Sequence, residues 1–226
     1  ELIDGVKCAR ILYLYPSTTS LKLIKTIGDS KIFHNYFDMP IQHINDEMLR
    51  IMKRGFGKEK TLELLNAMKA LPDSFVRTSF IVGHPGETDA MFDEMAEFAQ
   101  TFGFDRINVF SYSDEEGTGA YAMSEKIPSK TINARAKKLG SVASKVEEAS
   151  LAKLVGEEIL LVIDGESDEH EYLLSARALQ WAPDVDGEIY VNDREIEGDL
   201  AYGVIYRARI TEIAGRNPLA TVTGHA

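Results

Sequence analysis

Apolar residues in the first two-thirds of the chain fall into two alternating rhythms. Short continuous runs, Ile11 to Tyr15, Tyr36 to Ile41, Val76 to Val82 and Ile107 to Tyr112, read as buried strands. Between them apolar positions recur every three or four residues, the spacing of a helix with one buried face. Thr18 or Thr19 is placed to cap a helix that buries Leu21, Ile24 and Ile27. Asn45 or Asp46 caps another carrying Met48, Leu49 and Met52, which Gly55 and Gly57 end. Leu62, Leu65 and Met68 mark a third, stopping before Pro72. The clearest stripe is Met91, Phe92, Met95, Phe98, Ala99 and Phe102, capped by Thr88 and stopped at Gly103; at this spacing it is core packing. Ser129 is expected to cap a long helix with Ile132, Leu139, Val142, Val146 and Ala149 on one side. Strand–helix–strand units of this kind predict parallel strands with right-handed crossovers. Four such strands cannot close an eight-stranded barrel, so an open edge is expected near Ile11 to Tyr15, where further chain would pair.

After Gly156 the texture changes. Short strand-like runs at Glu158 to Ile163, Glu171 to Ala176, Gly187 to Val191, Tyr202 to Ile213 and Ala220 to Thr223 are separated by Gly, Asp, Asn and Pro. That rhythm predicts a small antiparallel β-barrel. The expected organisation is α/β: a partial open β/α barrel over residues 1–154, then a small β-barrel over residues 155–226.

Composition narrows the picture. With 226 residues, 44% hydrophobic and 27% charged, the chain has the make-up of a soluble globular protein with real cores. The run Ile159 to Ile163 is far too short to span a membrane. Glu1 to Asp4 show no leader pattern and no initiating methionine, so the chain reads as a piece of something longer. Cys8 is the only cysteine; it cannot form an internal disulfide, fits a reducing cytoplasm, and reads as a packed thiol. The net charge of −11 is concentrated at one end, with 15 acidic against 5 basic residues from Leu154 to Ala226. Such a module repels phosphate backbones and attracts basic partners.

Three segments join a strand to a polar loop in a fixed order: Phe37-Asp38-Met39-Pro40-Ile41-Gln42-His43, Arg77 to Glu87, and Tyr112-Ser113-Asp114-Glu115-Glu116-Gly117-Thr118. Strands that stop this way deliver side chains to the carboxyl-end rim of a β/α barrel. Taken singly, each segment is an ordinary turn or charged loop. Paired carboxylates suit acid–base work, yet adjacent residues point in different directions, which favours docking of a basic partner instead.

In this order the segments resemble the methylthiotransferases of the radical S-adenosylmethionine class, in particular the branch that modifies a ribosomal protein. The resemblance rests on Asp38, Pro40, Gln42 and His43, on Arg77, Thr78, Ile81, Val82, Gly83, Pro85, Gly86, Glu87 and Thr88, and on the acidic run Asp114-Glu115-Glu116. It implies the last four strands of a six-stranded radical S-adenosylmethionine barrel followed by an OB-like TRAM domain. It further implies S-adenosylmethionine against Gln42, Arg77, Ser79, Val82, Phe110 and Tyr112, with His43 behind Gln42. Gly83 then serves close backbone approach, His84 stands where relatives commonly carry phenylalanine, and Arg54 either holds a carboxylate or sits in solvent. Asp114, Glu115, Glu116 and Trp181 are the candidate docking residues, although a tryptophan in this setting is more often core or rim packing than a stacking platform exposed to a partner.

The reaction so implied abstracts hydrogen from the β-carbon of an aspartate in small-subunit ribosomal protein twelve, through a 5′-deoxyadenosyl radical, and installs a methylthio group. Two 4Fe–4S clusters and an electron donor belong to it. No metal ligands are expected within these residues, since His34, His43, His84, His170 and His225 are scattered. Nucleic-acid binding by so acidic a barrel is not expected, nor is a membrane. The alternatives are a transfer-RNA methylthiotransferase and a cluster-free binding scaffold.

Overall fold

Strand and helix alternate from the start of the computed structural model, which describes residues 4–168 and 170–226. The first three residues, which carry most of the segment inspected for a leader, lie outside the described residues. Two compact units emerge, Glu1–Glu147 and Glu148–Ala226.

In the first unit β1 (Ala9–Ile11), β2 (Phe33–Asp38), β3 (Phe75–Val82) and β4 (Arg106–Ser111) form one parallel sheet in sequential order. The first strand is shorter and earlier than its apolar run suggests, since Tyr13 takes a positive φ of 60° and leaves the ladder. It forms the expected edge. The helices α1 (Leu21–Gly28), α2 (Asp46–Ile51), α3 (Lys58–Lys69), α4 (Asp89–Thr101) and α5 (Ser129–Ala152) follow the strands.

Alternation along each strand divides the sheet into two faces. Phe37, Val76, Phe80 and Val82 point into a core shared with Ile24 and Ile27 of α1, Leu65 and Met68 of α3, Phe92 and Met95 of α4, and Leu139 of α5. Residues of the opposite parity, among them Asp38, Arg77, Ser79, Asn108 and Phe110, occupy the other face.

Caps explain where the helices begin. Ser20, not either threonine, accepts from the Leu23 amide and starts α1; Thr18 and Thr19 instead donate to the Tyr15 carbonyl. Asn45 caps α2 through the Glu47 and Met48 amides. Asp46 turns to the next helix and accepts from the Lys58 amide at 2.7 Å, reaching across Gly57, where any Cβ would sit 2.7 Å from its Oδ1. Thr88 caps α4 as expected. Ser129 does not cap α5 but is its first residue: the Pro128 carbonyl accepts the first amides, and proline suits that boundary because it lacks a donor of its own.

In the second unit β5 (Glu158–Glu166), β6 (Leu174–Ala178), β7 (Ile189–Arg194), β8 (Ile205–Ala214) and β9 (Asn217–His225) close a barrel in the order β5-β6-β7-β9-β8. The barrel is not wholly antiparallel as expected, because β7 and β9 pair in parallel. Alternate residues Leu161, Ile163, Tyr206, Ala208, Ile210, Ala220 and Val222 fill its interior. No helix among the described residues is long and apolar enough to cross a membrane.

Candidate functional site at the carboxyl-end rim

The turn after β2 is built to hold one residue in an unfavourable conformation. Gln42 has φ of 70°, a region that a side chain bearing a Cβ enters reluctantly. Two bonds to β3 hold it there: its amide donates to the Ser79 carbonyl and its carbonyl accepts from the Ile81 amide, each at 2.9 Å. Thr78, fully buried, donates its hydroxyl to the Met39 carbonyl at 2.8 Å and steadies the segment leading in. The side chain so delivered keeps its Oε1 buried without a hydrogen-bond partner.

His43 locks the far side of the same turn. Its Nδ1 accepts from the Ile44 and Asn45 amides, both at 3.0 Å. An acceptor Nδ1 places the proton of the neutral ring on Nε2, which faces Glu87 Oε1 at 3.5 Å. Glu87 belongs to the turn after β3. Its other oxygen accepts from the Gly83 amide at 2.8 Å and from Arg135 of α5 at 2.5 Å, and Arg135 also donates to the Glu87 backbone carbonyl and to Asp89. One buried acid thus ties two rim turns to a helix behind them.

Gly83 is required for two reasons. Its φ is +80°, and a Cβ there would lie 2.5 Å from Ile132 Cγ1. The close approach that the structure shows at Gly83 is made by Ile132 of α5. His84 is buried rather than solvated: Nδ1 donates to the Pro85 carbonyl at 2.9 Å, and the ring meets Tyr112 edge-on at 5.1 Å. Burial pushes its pKa below the ordinary histidine value, outweighing the Pro85 hydrogen bond and the nearby Glu87 carboxylate, which favour the charged form.

The other residues singled out in the sequence divide into groups. Arg77, Ser79 and Phe110 share the face of the sheet opposite the helix-side core; Arg77 Nε stands 3.7 Å from Asp38, so that pair is largely self-neutralised. Phe110 is 54% exposed, an apolar ring presented to solvent on an otherwise well-packed sheet. Val82 has the opposite parity, and its side chain is sealed in the helix-side core. Tyr112 extends the ladder by donating its amide to the Val82 carbonyl, and its hydroxyl donates to Asp114 at 2.7 Å. Burial and that carboxylate raise the Tyr112 pKa, whereas the hydrogen bond from Lys126 holds Asp114 below the usual carboxylate range. Asp114 is therefore spoken for, and Glu115 accepts from the Ser113 hydroxyl, while Glu116 is exposed.

Trp181 is 3% exposed: of its two readings the packed one holds, and it is not an exposed docking aromatic. Asp186, itself buried, accepts from the Ala182 amide at 2.8 Å and closes a turn that tucks the ring inward. Arg135 was missed. Its only signal is a charged residue on the buried stripe of α5, between Ile132 and Leu139, where an unpaired charge is expensive.

Residues 9–99 match the Radical SAM superfamily and residues 155–222 the TRAM domain. The ribosomal protein uS12 methylthiotransferase RimO of Sulfurimonas denitrificans is 68% identical over 226 residues, all of this chain and 51% of that protein. Along its whole length the chain resembles RimO. The RimO protein of Sulfurovum sp. is 58% identical over 222 residues, covering 98% of this chain and 50% of its own length. The chain therefore spans about half the length of the RimO relatives it matches. Among solved structures, the archaeal Methanocaldococcus infernus Elp3 with an N-terminal deletion aligns over 90% of this chain and 57% of its own at 17% identity and a TM-score of 0.42, a likeness too loose to carry an argument.

Proposed function

We propose that this chain forms one wall of the adenosyl-binding site of an enzyme that attaches a methylthio group to the β-carbon of an aspartate in ribosomal protein uS12. The observation that carries the reading is Gln42, held in a left-handed conformation by β3 with its Oε1 buried and unpartnered. A buried acceptor left open at a rim is poorly explained by stability, because it loses water without regaining a hydrogen bond. An adenosyl group brings hydroxyl and amine donors that answer it, and Phe110 offers an apolar ring for the base.

The residues present therefore suit S-adenosylmethionine. They do not suit an iron–sulfur cluster: Cys8 is the only cysteine, and among the described residues no group of three His, Cys, Asp or Glu could hold a metal ion. The two 4Fe–4S clusters implied for the family take their ligands from outside these residues. When bound, S-adenosylmethionine supplies hydrogen abstraction without a base, which the non-acidic β-carbon of an aspartate requires. The work of this chain is positional. Gln42 orients the ligand, Arg77 and Asp38 keep the floor near electrical neutrality, and His43, Glu87 and Arg135 hold the two rim turns in register.

The substrate reading draws on charge. Glu115 and Glu116 are exposed beside the site, and the second unit carries nearly all the net negative charge. Three of its five arginines, Arg177, Arg194 and Arg209, are already paired with carboxylates of the same unit. A basic ribosomal protein is attracted to such a surface and a nucleic acid is repelled. A separate electron donor and a reducing, cytoplasmic setting complete the reading.

The test is product formation. The complete polypeptide, reconstituted with iron and sulfide and given a reductant, should release 5′-deoxyadenosine and leave uS12 with one hydrogen replaced by a methylthio group. These 226 residues alone, treated identically, should release none. Modification of transfer RNA in place of uS12 would contradict the substrate reading.

A further inference from the structure

Lys126 fills a cage suited to an ammonium group. It lies near the end of the loop of residues 112–128 that joins β4 to α5. Its Nζ donates to the Asp114 carboxylate and, at 2.8 Å, to the Ala120 carbonyl. The same nitrogen stands 5.6 Å from the Tyr112 ring centre and 5.5 Å from that of Tyr121. Tyr112 in turn donates its hydroxyl to Asp114 at 2.7 Å, so one wall of the cage also fixes its carboxylate. An ammonium has three donors and a compact charge. The carboxylate and the carbonyl answer the donors, and the two rings answer the charge.

Holding the loop does not require this arrangement. The backbone already ties both ends: the Tyr112 amide donates to the Val82 carbonyl, and the Gly86 amide to the Glu125 carbonyl at 3.1 Å. Between them Thr118 turns back onto the Glu115 carbonyl through its amide and its hydroxyl. The Lys126–Asp114 pair is exposed, and ion pairs so placed add little to stability. Tyr121 is 46% exposed, so its ring belongs to no core. A fixed carboxylate between exposed rings, on a long loop at the carboxyl end of a parallel sheet, has the make-up of a recognition surface.

We propose that this cage is a lysine-recognition site, and that Lys126 is an internal stand-in which a lysine of the partner displaces. The identity of the partner, uS12, rests on the function proposed above; the cage and its stand-in are additional to it. Self-occupation makes the contact selective. A partner gains the cage only by supplying an ammonium of its own, and a nucleic acid, which brings phosphates instead, cannot unseat Lys126.

Calorimetric titration of uS12 into the complete polypeptide tests this with wild type, Lys126→Met and Lys130→Met. The last variant removes the same charge from the start of α5, which controls for the general attraction of a basic protein. Emptying the cage should tighten uS12 binding roughly three- to thirtyfold beyond any change in Lys130→Met, the weight of one exposed ion pair and two ring contacts. Adding Tyr121→Leu to Lys126→Met should return part of that gain. Acetylation of the uS12 lysines removes their charge, and the difference between the two lysine variants should then vanish. Equal affinities of Lys126→Met and Lys130→Met for untreated uS12, or a difference that survives acetylation, overturn the site. If Lys126→Met does not fold, the ¹⁵Nζ resonance of Lys126 in the wild type decides: it should move on adding untreated uS12 and stay on adding the acetylated protein. No movement overturns the site. Failure of all three proteins to bind uS12 defeats the proposed substrate as well, whereas binding that is indifferent to Lys126 defeats this site alone.

Discussion

Arg135→Ala should destabilise the first unit by about 3–5 kcal/mol, the range seen when one partner of a buried ion pair is removed. Glu87 and Arg135 have side-chain exposures of 0% and 8%, so water cannot reach in to rescue the abandoned carboxylate. The variant also strips the Glu87 carbonyl and Asp89 of a donor, although Asp89 is 92% exposed and recovers its hydration. The cost should therefore fall on Glu87. Adding Glu87→Gln to Arg135→Met should recover part of the loss, since the new amide nitrogen then faces the His43 Nε2 proton where Oε1 stood at 3.5 Å. The amide oxygen can still accept from Gly83, no charge remains to desolvate, and the methionine refills the space beside Ile132 and Leu139. Denaturant unfolding followed by helical circular dichroism reads both effects. A single variant within about 0.5 kcal/mol of wild type, the scatter of ordinary surface substitutions, would show that the pair does not form as described.

Gly83→Ala should cost about 2–5 kcal/mol. Two separable penalties add. A residue with a Cβ held at a φ of +80° costs about 1–2 kcal/mol, and a Cβ 2.5 Å from Ile132 Cγ1 forces repacking worth about 1–3 kcal/mol more. A double-mutant cycle with Ile132→Ala distinguishes them. Trimming Ile132 removes its two closest atoms, leaving its Cβ 3.1 Å away and the backbone penalty in place, so the two substitutions should couple by about 1–3 kcal/mol in the favourable direction. Strict additivity would mean that α5 does not press on this turn.

What was legible in the sequence is what lies close together along the chain. The segment from Asp38 to His43 announces a strand, a proline-shaped exit and a polar delivery, and its residues divide the work. Asp38 faces Arg77, the Pro40 carbonyl holds Arg54, Gln42 is presented, and His43 organises the amides that begin α2. The stripe of α4 was equally plain, since a period of 3.6 needs only local information. Long-range closure was not. Glu87 and Arg135 lie 48 residues apart, and nothing near Glu87 indicates which helix will supply its cation. Arg54 and Tyr15 are separated by 39 residues, so the sequence leaves both a bound carboxylate and open solvent available to Arg54 until the fold brings the two side chains together. The parallel pairing of β7 and β9 escaped for the same reason: alternation reveals that a segment is a strand and says nothing about which strand it will meet.

Side-chain direction was the other blind spot. Val82 and Ser79 sit on one strand, but their parity differs and they serve opposite faces. Trp181 stands among polar and turn-forming residues, which reads as surface, yet Asp186 folds that turn back over itself. In both cases the deciding fact is a single residue of register or a single hydrogen bond.

Whether the rim around Gln42 receives an adenosyl ligand decides the functional assignment. Calorimetric titration of S-adenosylmethionine into the cluster-loaded complete polypeptide, wild type against Gln42→Ala, addresses this directly. Loss of a side chain whose buried oxygen awaits a donor should weaken binding roughly tenfold or more, with the folded state retained. Equal affinities for the two proteins would show that the ligand does not meet this wall, and the assignment of the rim would fail.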